Sequence, residues 1–189
     1  MYHIKEDKRS QKSARLITEA VLALAERKPY EEITITDIEK KSTVARSTFY
    51  RLFDNTTDVL TYICDCAFAE LTALHTQKKV NRINLTYLAG TYWGKHHKTL
   101  EIIIRAGYKH IFVESFTRHY PQFLSIHELD LPPVYEKDSN YAISIAASLF
   151  STSLLTWIET GQQESIEELC QIVYDVLNQM IKIFTQPHE

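Results

Sequence analysis

Side chains that could bind a nucleic acid are concentrated in residues 45–53. If this segment is an α-helix, each residue turns by about 100° and the side chains separate into two faces. The outward face would carry Arg46, Ser47, Thr48, Tyr50 and Arg51. The inward, apolar face would carry Ala45, Phe49, Leu52 and Phe53. Guanidinium groups, hydroxyls and a phenol without any carboxylate suit phosphate oxygens and the acceptor-rich edges of bases. A solvated amphipathic helix with a chance polar run is the alternative that this segment alone leaves open.

A shorter helix just before this segment is predicted to hold it in place. Thr36 is a good N-cap, and Glu39 three residues later completes a capping-box pattern. This helix would end near Ser42. Thr43-Val44 would then form the turn into the second helix, with the valine filling the angle between the two.

Longer helices are predicted on both sides of this pair. Upstream, apolar residues at helical spacing predict a scaffold helix from about Ser10 to Lys28, which Pro29 would end. Downstream, Asn55 suits the N-cap of a helix whose apolar stripe runs to about His75.

The whole stretch carries a pattern that is specific in combination. Its residues are Tyr30, Ile33, Thr34, Asp37, Ile38, Val44, Thr48, Phe49, Tyr50, Phe53, Asp58 and Leu60. It resembles the N-terminal helix-turn-helix of the TetR family (TetR/AcrR) of bacterial transcriptional regulators, over roughly residues 10–62. The resemblance implies an all-α fold, with a three-helix DNA-binding head in residues 1–56 and a helical ligand-binding and dimerisation body in residues 57–189. The DNA-binding residues expected from it are Thr36, Arg46, Ser47, Thr48, Tyr50, Arg51 and Thr56.

Three positions depart from the family pattern. Thr43 stands where the turn usually has Gly, Glu39 where the family usually has Ala, and Thr56 where a phosphate-binding Lys is frequent. A β-branched residue at positive φ is costly, so an altered turn is one expectation. These departures favour a second interpretation beside the DNA-binding one: an adaptor or co-regulator that keeps the fold but acts through protein partners.

Composition excludes several other functions. Four Gly and five Pro among 189 residues argue against an all-β fold and leave no glycine-rich phosphate loop. No apolar run approaches 18 residues, so no membrane span is expected. Three cysteines in a chain with a polar N-terminal segment indicate reduced thiols in the cytoplasm. No nucleophile, metal cluster or cofactor motif supports the third interpretation, a small helical enzyme.

Charge divides unevenly along the chain. Residues 1–56 hold 11 Lys/Arg and 9 Asp/Glu, a net +2, whereas residues 57–189 hold 10 and 15, a net −5. Five of the cations stand at Lys5, Lys8, Arg9, Lys12 and Arg15. A basic arm ahead of the helix-turn-helix suits phosphate contact, and a merely soluble tail is the alternative. The acidic remainder would confine DNA to the N-terminal end.

Aromatic side chains gather between Leu85 and Phe123. This helical region, with Gly94 and Gly107 at predicted bends or boundaries, holds eight of the chain's 21 aromatic residues. A pocket for a small apolar or aromatic ligand is one interpretation, and a core of large side chains is the other. The candidate ligand-binding residues are Tyr87, Trp93, His97, Tyr108, Phe112 and Phe116. Pro121 is predicted to end the region, and residues 122–138 to form a loop.

Two last helices are predicted at about Asn140–Thr160 and Ser165–Phe184. The first is rich in small residues, and the second begins with a capping box and has an apolar arc wider than one packing partner needs. The resemblance implies that they pair with their copies in a homodimer, while packing within a monomer is the alternative. The candidate interface residues are Ser148, Ser151, Leu155, Val173, Leu177 and Met180. The leading expectation is a dimeric repressor that binds double-stranded operator DNA and responds to a small ligand.

Overall fold

The computed structural model describes residues 1–75, 82–126 and 139–185. Its helices in chain order are α1 Lys8–Ala25, α2 Ile35–Ser42, α3 Arg46–Leu52, α4 Thr56–His75, α5 Arg82–Lys95, α6 His97–Arg105, α7 Lys109–Ile126, α8 Ser139–Glu159 and α9 Ile166–Thr185, with a 3-10 turn at Tyr30–Glu32. No strand occurs in these three ranges beyond an isolated bridge between Tyr2 and Phe53. The predicted all-α fold is confirmed. We call α1–α3 the head and α4–α9 the body.

The start of α2 differs from the prediction by two residues. Thr34, in extended conformation, is the N-cap, and its hydroxyl accepts from the backbone N–H of Asp37 while the Asp37 carboxylate accepts from the N–H of Thr34. The predicted box of Thr36 and Glu39 is therefore wrong. The Lys28 ammonium lies 2.7 Å from the Asp37 carboxylate, and this hydrogen bond holds the pKa of Asp37 well below its ordinary value, so that the carboxylate of the box stays charged.

The turn between α2 and α3 keeps a left-handed residue without a glycine. Thr43 has φ 59° and ψ 16° and ends α2, with its N–H bonded to the Glu39 carbonyl. A β-branched side chain in this conformation costs about 1–2 kcal/mol relative to glycine. The Ser42 hydroxyl accepts from the N–H of Val44 and so satisfies the buried backbone on the far side of the turn.

The head joins the body at the beginning of α4. The Asn55 side chain accepts from the N–H of Asp58 at 2.9 Å, which confirms the predicted N-cap. The phenol of Tyr30 donates to the carbonyl of Thr56 at 2.6 Å and ties the turn after α1 to the same helix. Since α4 also packs along α7, it is the element that the head and the body share.

The body is built from helix pairs around an aromatic core. α5 packs mainly on α9, and α7 mainly on α4 and α8. Phe68, Trp93, Phe112 and Phe116 meet in its centre with ring centroids 4.8 to 6.2 Å apart. Gly90 lets α5 approach α9 closely, because a Cβ atom there would lie 2.3 Å from the Cys170 sulfur.

Most predicted helix boundaries hold within a few residues, but Pro121 does not end its helix. It lies inside α7, which continues to Ile126 with one N–H missing from its ladder. Residues 122–126 of the predicted loop are therefore helical, and 127–138 lie outside the described residues.

α1 ends at Ala25, three residues before the predicted Lys28. The capping box of Ser165 and Glu168 is confirmed at the start of α9.

One helix in the described part of the chain is long and apolar enough to cross a membrane. It is Asn140–Glu159 of α8, with a mean hydropathy of 1.5. Length and composition are weak grounds, because core helices of water-soluble proteins pass the same test. Ser, Thr and Asn side chains interrupt the apolar residues, and one side of α8 packs on α6, α7 and α9.

Candidate nucleic-acid interface

Three large apolar side chains seat α3 in the head. Phe49, Leu52 and Phe53 are at most 1% exposed and pack with α1 residues such as Ile17. The prediction also put Ala45 on this inward face, which is wrong: Ala45 is exposed as the N-cap of α3. Burial of the other three fixes which side of α3 faces outward.

The outward side of α3 presents the predicted polar groups. Arg46, Ser47, Tyr50 and Arg51 are exposed, and Thr48 is half-buried. The Arg46 guanidinium donates to the Tyr50 hydroxyl at 3.3 Å and lies 5.5 Å from the centre of its ring. Stacking on the phenol restricts the guanidinium, so less rotamer freedom would be lost when it binds an acceptor.

Glu39 takes part in this surface in a way that sequence reasoning missed. Its carboxylate accepts from the backbone N–H of Arg46 at 3.2 Å, across the turn from α2. Ala45 has no side chain that could cap α3, so Glu39 supplies the missing acceptor. The sequence signal for this contact was the apolar residue Ala45 at the N-cap of α3, which needs an acceptor from elsewhere. The consequence is a negative charge at a helix N-terminus, where a DNA phosphate would otherwise be favoured.

The two predicted threonines lie at the starts of neighbouring helices. Thr36 is exposed in the first turn of α2, and Thr56 is half-buried as the first residue of α4. The last turn of α2 adds two exposed cations, Lys40 and Lys41. The head therefore exposes cations on α2 as well as on α3.

Comparison with known proteins identifies the fold. No protein-family model matches the sequence, and no curated protein matches it at a significant level. Among solved structures, the chain is similar to Lin0861 from Listeria innocua, with TM-score 0.78, 16% identity, and 94% of this chain and 96% of that one covered. It is also similar to a TetR transcriptional regulator from Streptococcus agalactiae 2603V, with TM-score 0.60, 18% identity and coverage of 88% and 94%. A third is the dihydroxyacetone kinase operon activator DhaS, with TM-score 0.62, 20% identity and coverage of 92% and 98%.

The chain has the TetR fold. In this fold the predicted helix-turn-helix is α2 and α3, at the N-terminal end of the helical body. The identities of these neighbours, at or below 20%, make the likeness one of architecture. What the outward side of α3 binds therefore has to be argued from its own side chains.

The N-terminal arm of this TetR fold is bound both to the end of α3 in the head and to α4 in the body. His3 donates its backbone N–H to the carbonyl of Leu52 at 2.8 Å, and its ring lies 2.9 Å from the Asp54 carboxylate. Tyr2 packs edge-on against Tyr62 of α4 at 5.1 Å. The five cations predicted to form a basic arm are all exposed, but only Lys5 precedes α1. The other four, Lys8, Arg9, Lys12 and Arg15, lie on the first two turns of α1 itself. Their proposed contact with phosphates stays a prediction.

Asp65 is a buried carboxylate that links the arm, α4 and α7. It accepts from the Tyr2 hydroxyl at 2.8 Å, from Arg118 at 3.0 Å and from His119 at 3.1 Å, and also from Ser115. Burial opposes its ionisation most strongly, but the hydrogen bonds and the Arg118 charge together hold the pKa of Asp65 below its ordinary value. An acidic residue inside the apolar stripe of α4 was the sequence signal for this cluster.

The structure does not gather the six predicted ligand-binding residues around one cavity. Trp93, Phe112 and Phe116 are at most 3% exposed in the aromatic core. The Tyr87 hydroxyl donates to Gln171 of α9, and the His97 ring is bonded to the Gly94 carbonyl. Tyr108 packs on Tyr30 with ring centroids 5.8 Å apart. Of the six, only Trp93 lines a cleft of about 210 Å³ between α1, α4 and the α5–α6 junction.

Three of the predicted dimer-interface residues need correction. Ser151, Leu155 and Val173 are at most 3% exposed and face the core of their own subunit, so they cannot meet a second copy. Leu177 is half-buried against that core. The other two, Ser148 and Met180, are half-buried. Among residues 140–180, whose side chains the structure describes, the exposed large apolar side chains of these two helices are instead Tyr141, Ile145, Ile172 and Val176, at 73%, 46%, 55% and 41%.

Proposed function

We propose that this chain is a sequence-specific DNA-binding transcription regulator that works as a homodimer in the cytoplasm. The outward side of α3 carries the proposal. It exposes two guanidinium groups, a hydroxyl and a phenol on a helix whose inward side is locked by Phe49. The likeness to a TetR transcriptional regulator supports the proposal that α3 enters a major groove.

Each exposed group has a distinct role in this proposal. Arg46, at the first turn of α3, is oriented by Tyr50 and is suited to a bidentate contact with a base edge. Arg51, in the last turn, is suited to a phosphate. The exposed Lys40 and Lys41 on α2 add further phosphate contacts.

Dimerisation is supported by the exposed apolar side chains of α8 and α9. Tyr141 and Ile145 are one turn apart on α8, and Ile172 and Val176 are one turn apart on the neighbouring α9. Such pairs on adjacent helices indicate a face that another surface covers. A second copy of the same face would form a two-fold interface and would set two heads about 34–36 Å apart, one turn of DNA.

Regulation by a small ligand is the remaining part of the proposal. A ligand acts only if it favours one arrangement of the two heads over another. α4 contacts both the head and the rest of the body, so it is the element through which a bound ligand would move the head. We propose repression as the outcome of operator binding. One structural neighbour is described as an operon activator, so a reporter gene has to distinguish repression from activation.

Selection of bound DNA from a random pool tests the proposal. An enriched inverted repeat is expected, and Arg46→Ala should relax one position in each half-site at a cost of about 1–3 kcal/mol. Arg51→Ala should weaken binding to all sequences alike and reduce the salt slope by about one unit per phosphate lost. Gln163→Ala, in the exposed turn before α9, is the control variant.

The adaptor is the second candidate function, because Glu39 places a carboxylate at the start of α3. If no sequence is enriched while the protein is folded and dimeric, DNA recognition fails and the adaptor function replaces it. If an inverted repeat is enriched but Arg46→Ala and Arg51→Ala bind it like the wild type, the outward side of α3 is not the DNA-contacting surface.

A further inference from the structure

Residues 2–4 of the N-terminal arm lie across the end of α3, and we call them the strap. The backbone N–H of His3 donates to the carbonyl of Leu52 at 2.8 Å, and Tyr2 forms an antiparallel bridge with Phe53. Leu52 is the last residue of α3, and the last carbonyls of a helix have no partner within it. The strap therefore caps the C-terminal end of the helix whose outward side is proposed to contact DNA.

The side chain of Tyr2 extends from the strap to α4. Its ring packs edge-on against Tyr62 with ring centroids 5.1 Å apart, and its hydroxyl donates to Oδ2 of Asp65 at 2.8 Å. Burial and this carboxylate raise the pKa of Tyr2, so the phenol keeps its proton near neutral pH and remains a donor. The strap thus joins the end of α3 to one buried group of α4.

The same carboxylate also binds α7. Arg118 donates to Oδ2 of Asp65, the oxygen that Tyr2 uses, at 3.0 Å. The other oxygen accepts from Ser115 and lies 3.1 Å from the His119 ring. The Asp65 side chain is 8% exposed, so water cannot readily replace a lost donor. Because a hydrogen bond weakens steeply with angle, a shift of α7 that turned the carboxylate would also take the acceptor away from the phenol.

These contacts connect two helices that lie in different parts of the molecule. α7 packs mainly on α4 and α8 in the body, whereas α3 packs on α1 and α2 in the head. The strap is short and its His3 side chain is exposed, so it can open locally at a much lower cost in free energy than unfolding of the whole chain. Such a contact can respond to a displacement of α7 while the head remains folded.

We propose that Tyr2 and Asp65 are positioning residues, through which the place of α7 determines whether the strap holds the end of α3. In the observed arrangement the three α7 side chains orient the carboxylate toward the phenol, and the strap is closed. Displacement of α7 turns the carboxylate away and releases the strap, so the last turn of α3 frays. An effect of this fraying on DNA affinity rests on the proposed DNA-binding function, whereas the coupling itself does not.

Amide hydrogen exchange of the full chain without DNA, measured by NMR, tests the coupling. Tyr2→Phe keeps the ring and removes the hydroxyl, and Arg118→Gln removes the guanidinium on α7. Each variant should speed exchange of the amides of residues 51–53 about fivefold, the equivalent of about one hydrogen bond. Because both act through Asp65, the double variant should exchange at most about twofold faster than either single variant, whereas independent effects would multiply to about 25-fold.

A matched control and a second α7 variant accompany these measurements. Lys98→Gln removes an exposed cation from α6 and should leave the amides of residues 51–53 unchanged. Thermal melts identify any variant that does not fold, and Ser115→Ala, which removes another α7 donor, replaces Arg118→Gln if that variant does not.

Three results would overturn the coupling. They are unchanged exchange of residues 51–53 in either single variant, a double variant more than about twofold faster than both singles, or equal acceleration by Lys98→Gln. A strap that only stabilises the head would not transmit a change made on α7. Since no DNA is present, failure here leaves the DNA selection experiment unaffected, and failure of that selection leaves the exchange data interpretable.

Discussion

The outward side of α3 and the exposed side of α8 and α9 are both open surfaces, but they need opposite partners. α3 exposes hydrogen-bond donors and positive charge over a rigid apolar seat. α8 and α9 expose large apolar side chains, led by Tyr141 and Ile172. The polar side chains of the first surface are hydrated, so exposing them to water costs little free energy while no polyanion is bound. The second favours association, because covering apolar surface gains about 25 cal/mol for each Å² removed from water.

The difference explains why sequence reasoning found which side of α3 faces outward, apart from Ala45, but assigned three buried residues of α8 and α9 to an outer face. α3 has a single apolar arc, and the head covers that arc. The periodicity of apolar residues therefore decides which side of α3 faces outward. α9 has apolar residues on two sides, with Val173 inward and Val176 outward. Periodicity shows that both sides are apolar but not which of them the subunit itself covers. That allocation depends on how α5 packs on α9, which no local pattern specifies.

The largest expected effect concerns the seat of α3. Phe49→Ala should lower the free energy of unfolding by about 3–5 kcal/mol, because a fully buried ring is replaced by a cavity. Arg51→Ala, two residues on and exposed, should leave the melting temperature nearly unchanged while weakening DNA binding. Chemical denaturation and binding titrations on both variants measure the contrast. Equal stability of the two variants would contradict the inward and outward assignment.

The next effect concerns the apolar surface. Val176→Asp should raise the dissociation constant of the dimer by about a hundredfold or more, because a carboxylate would be buried without a partner. Gln163→Asp adds the same charge in the exposed turn between α8 and α9 and serves as the control. Sedimentation equilibrium over a range of concentrations gives both constants. A wild-type monomer at micromolar concentration, or a Val176→Asp dimer as tight as the control, would remove the proposed interface.

Much of the fold could be predicted from the sequence, but few of the polar contacts between helices could. Helix-stop signals such as Gly107 and N-caps such as Asn55 are local and were predicted correctly. The cap of α2 was misplaced because Thr34 with Asp37 and Thr36 with Glu39 both fit the capping-box spacing, and the pairing of Lys28 with Asp37 across the preceding turn is not visible in that spacing. The Asp65 cluster joins residues 50 or more positions apart, which no spacing rule can predict.

A smaller effect is expected at Asp65, which anchors the helix between the two surfaces. Asp65→Asn should lower the free energy of unfolding by about 1.5–3 kcal/mol, because donors from Tyr2, Arg118 and His119 lose a charged acceptor. The pKa of Asp65 is lowered in the folded state, so its contribution is present above the ordinary carboxyl pKa of about 3.9. It is lost as the pH falls through the lowered pKa.

Denaturation curves at several pH values measure this dependence. The difference between wild type and Asp65→Asn should be largest above about pH 5 and should shrink as the medium becomes more acidic. Glu114→Gln, an exposed carboxylate on α7, is the control and should stay within about 0.5 kcal/mol of wild type at every pH. A difference that grows below pH 4 would mean that Asp65 is protonated in the folded protein.

The smallest effect separates the two tasks of Glu39 at the start of α3. Its side-chain oxygen caps the N–H of Arg46, and its charge opposes an approaching phosphate. Glu39→Gln keeps an acceptor oxygen and removes the charge, so the operator should bind more tightly by about 0.3–1 kcal/mol at low salt, with unchanged stability. Glu39→Ala removes both, so the same gain should come with a loss of about 0.5–2 kcal/mol in stability. Glu31→Gln, an exposed carboxylate in the 3-10 turn, is the matched control on the head. If Glu39→Gln binds no more tightly than wild type while Glu31→Gln does, the phosphates approach the head beside the 3-10 turn and not at the start of α3.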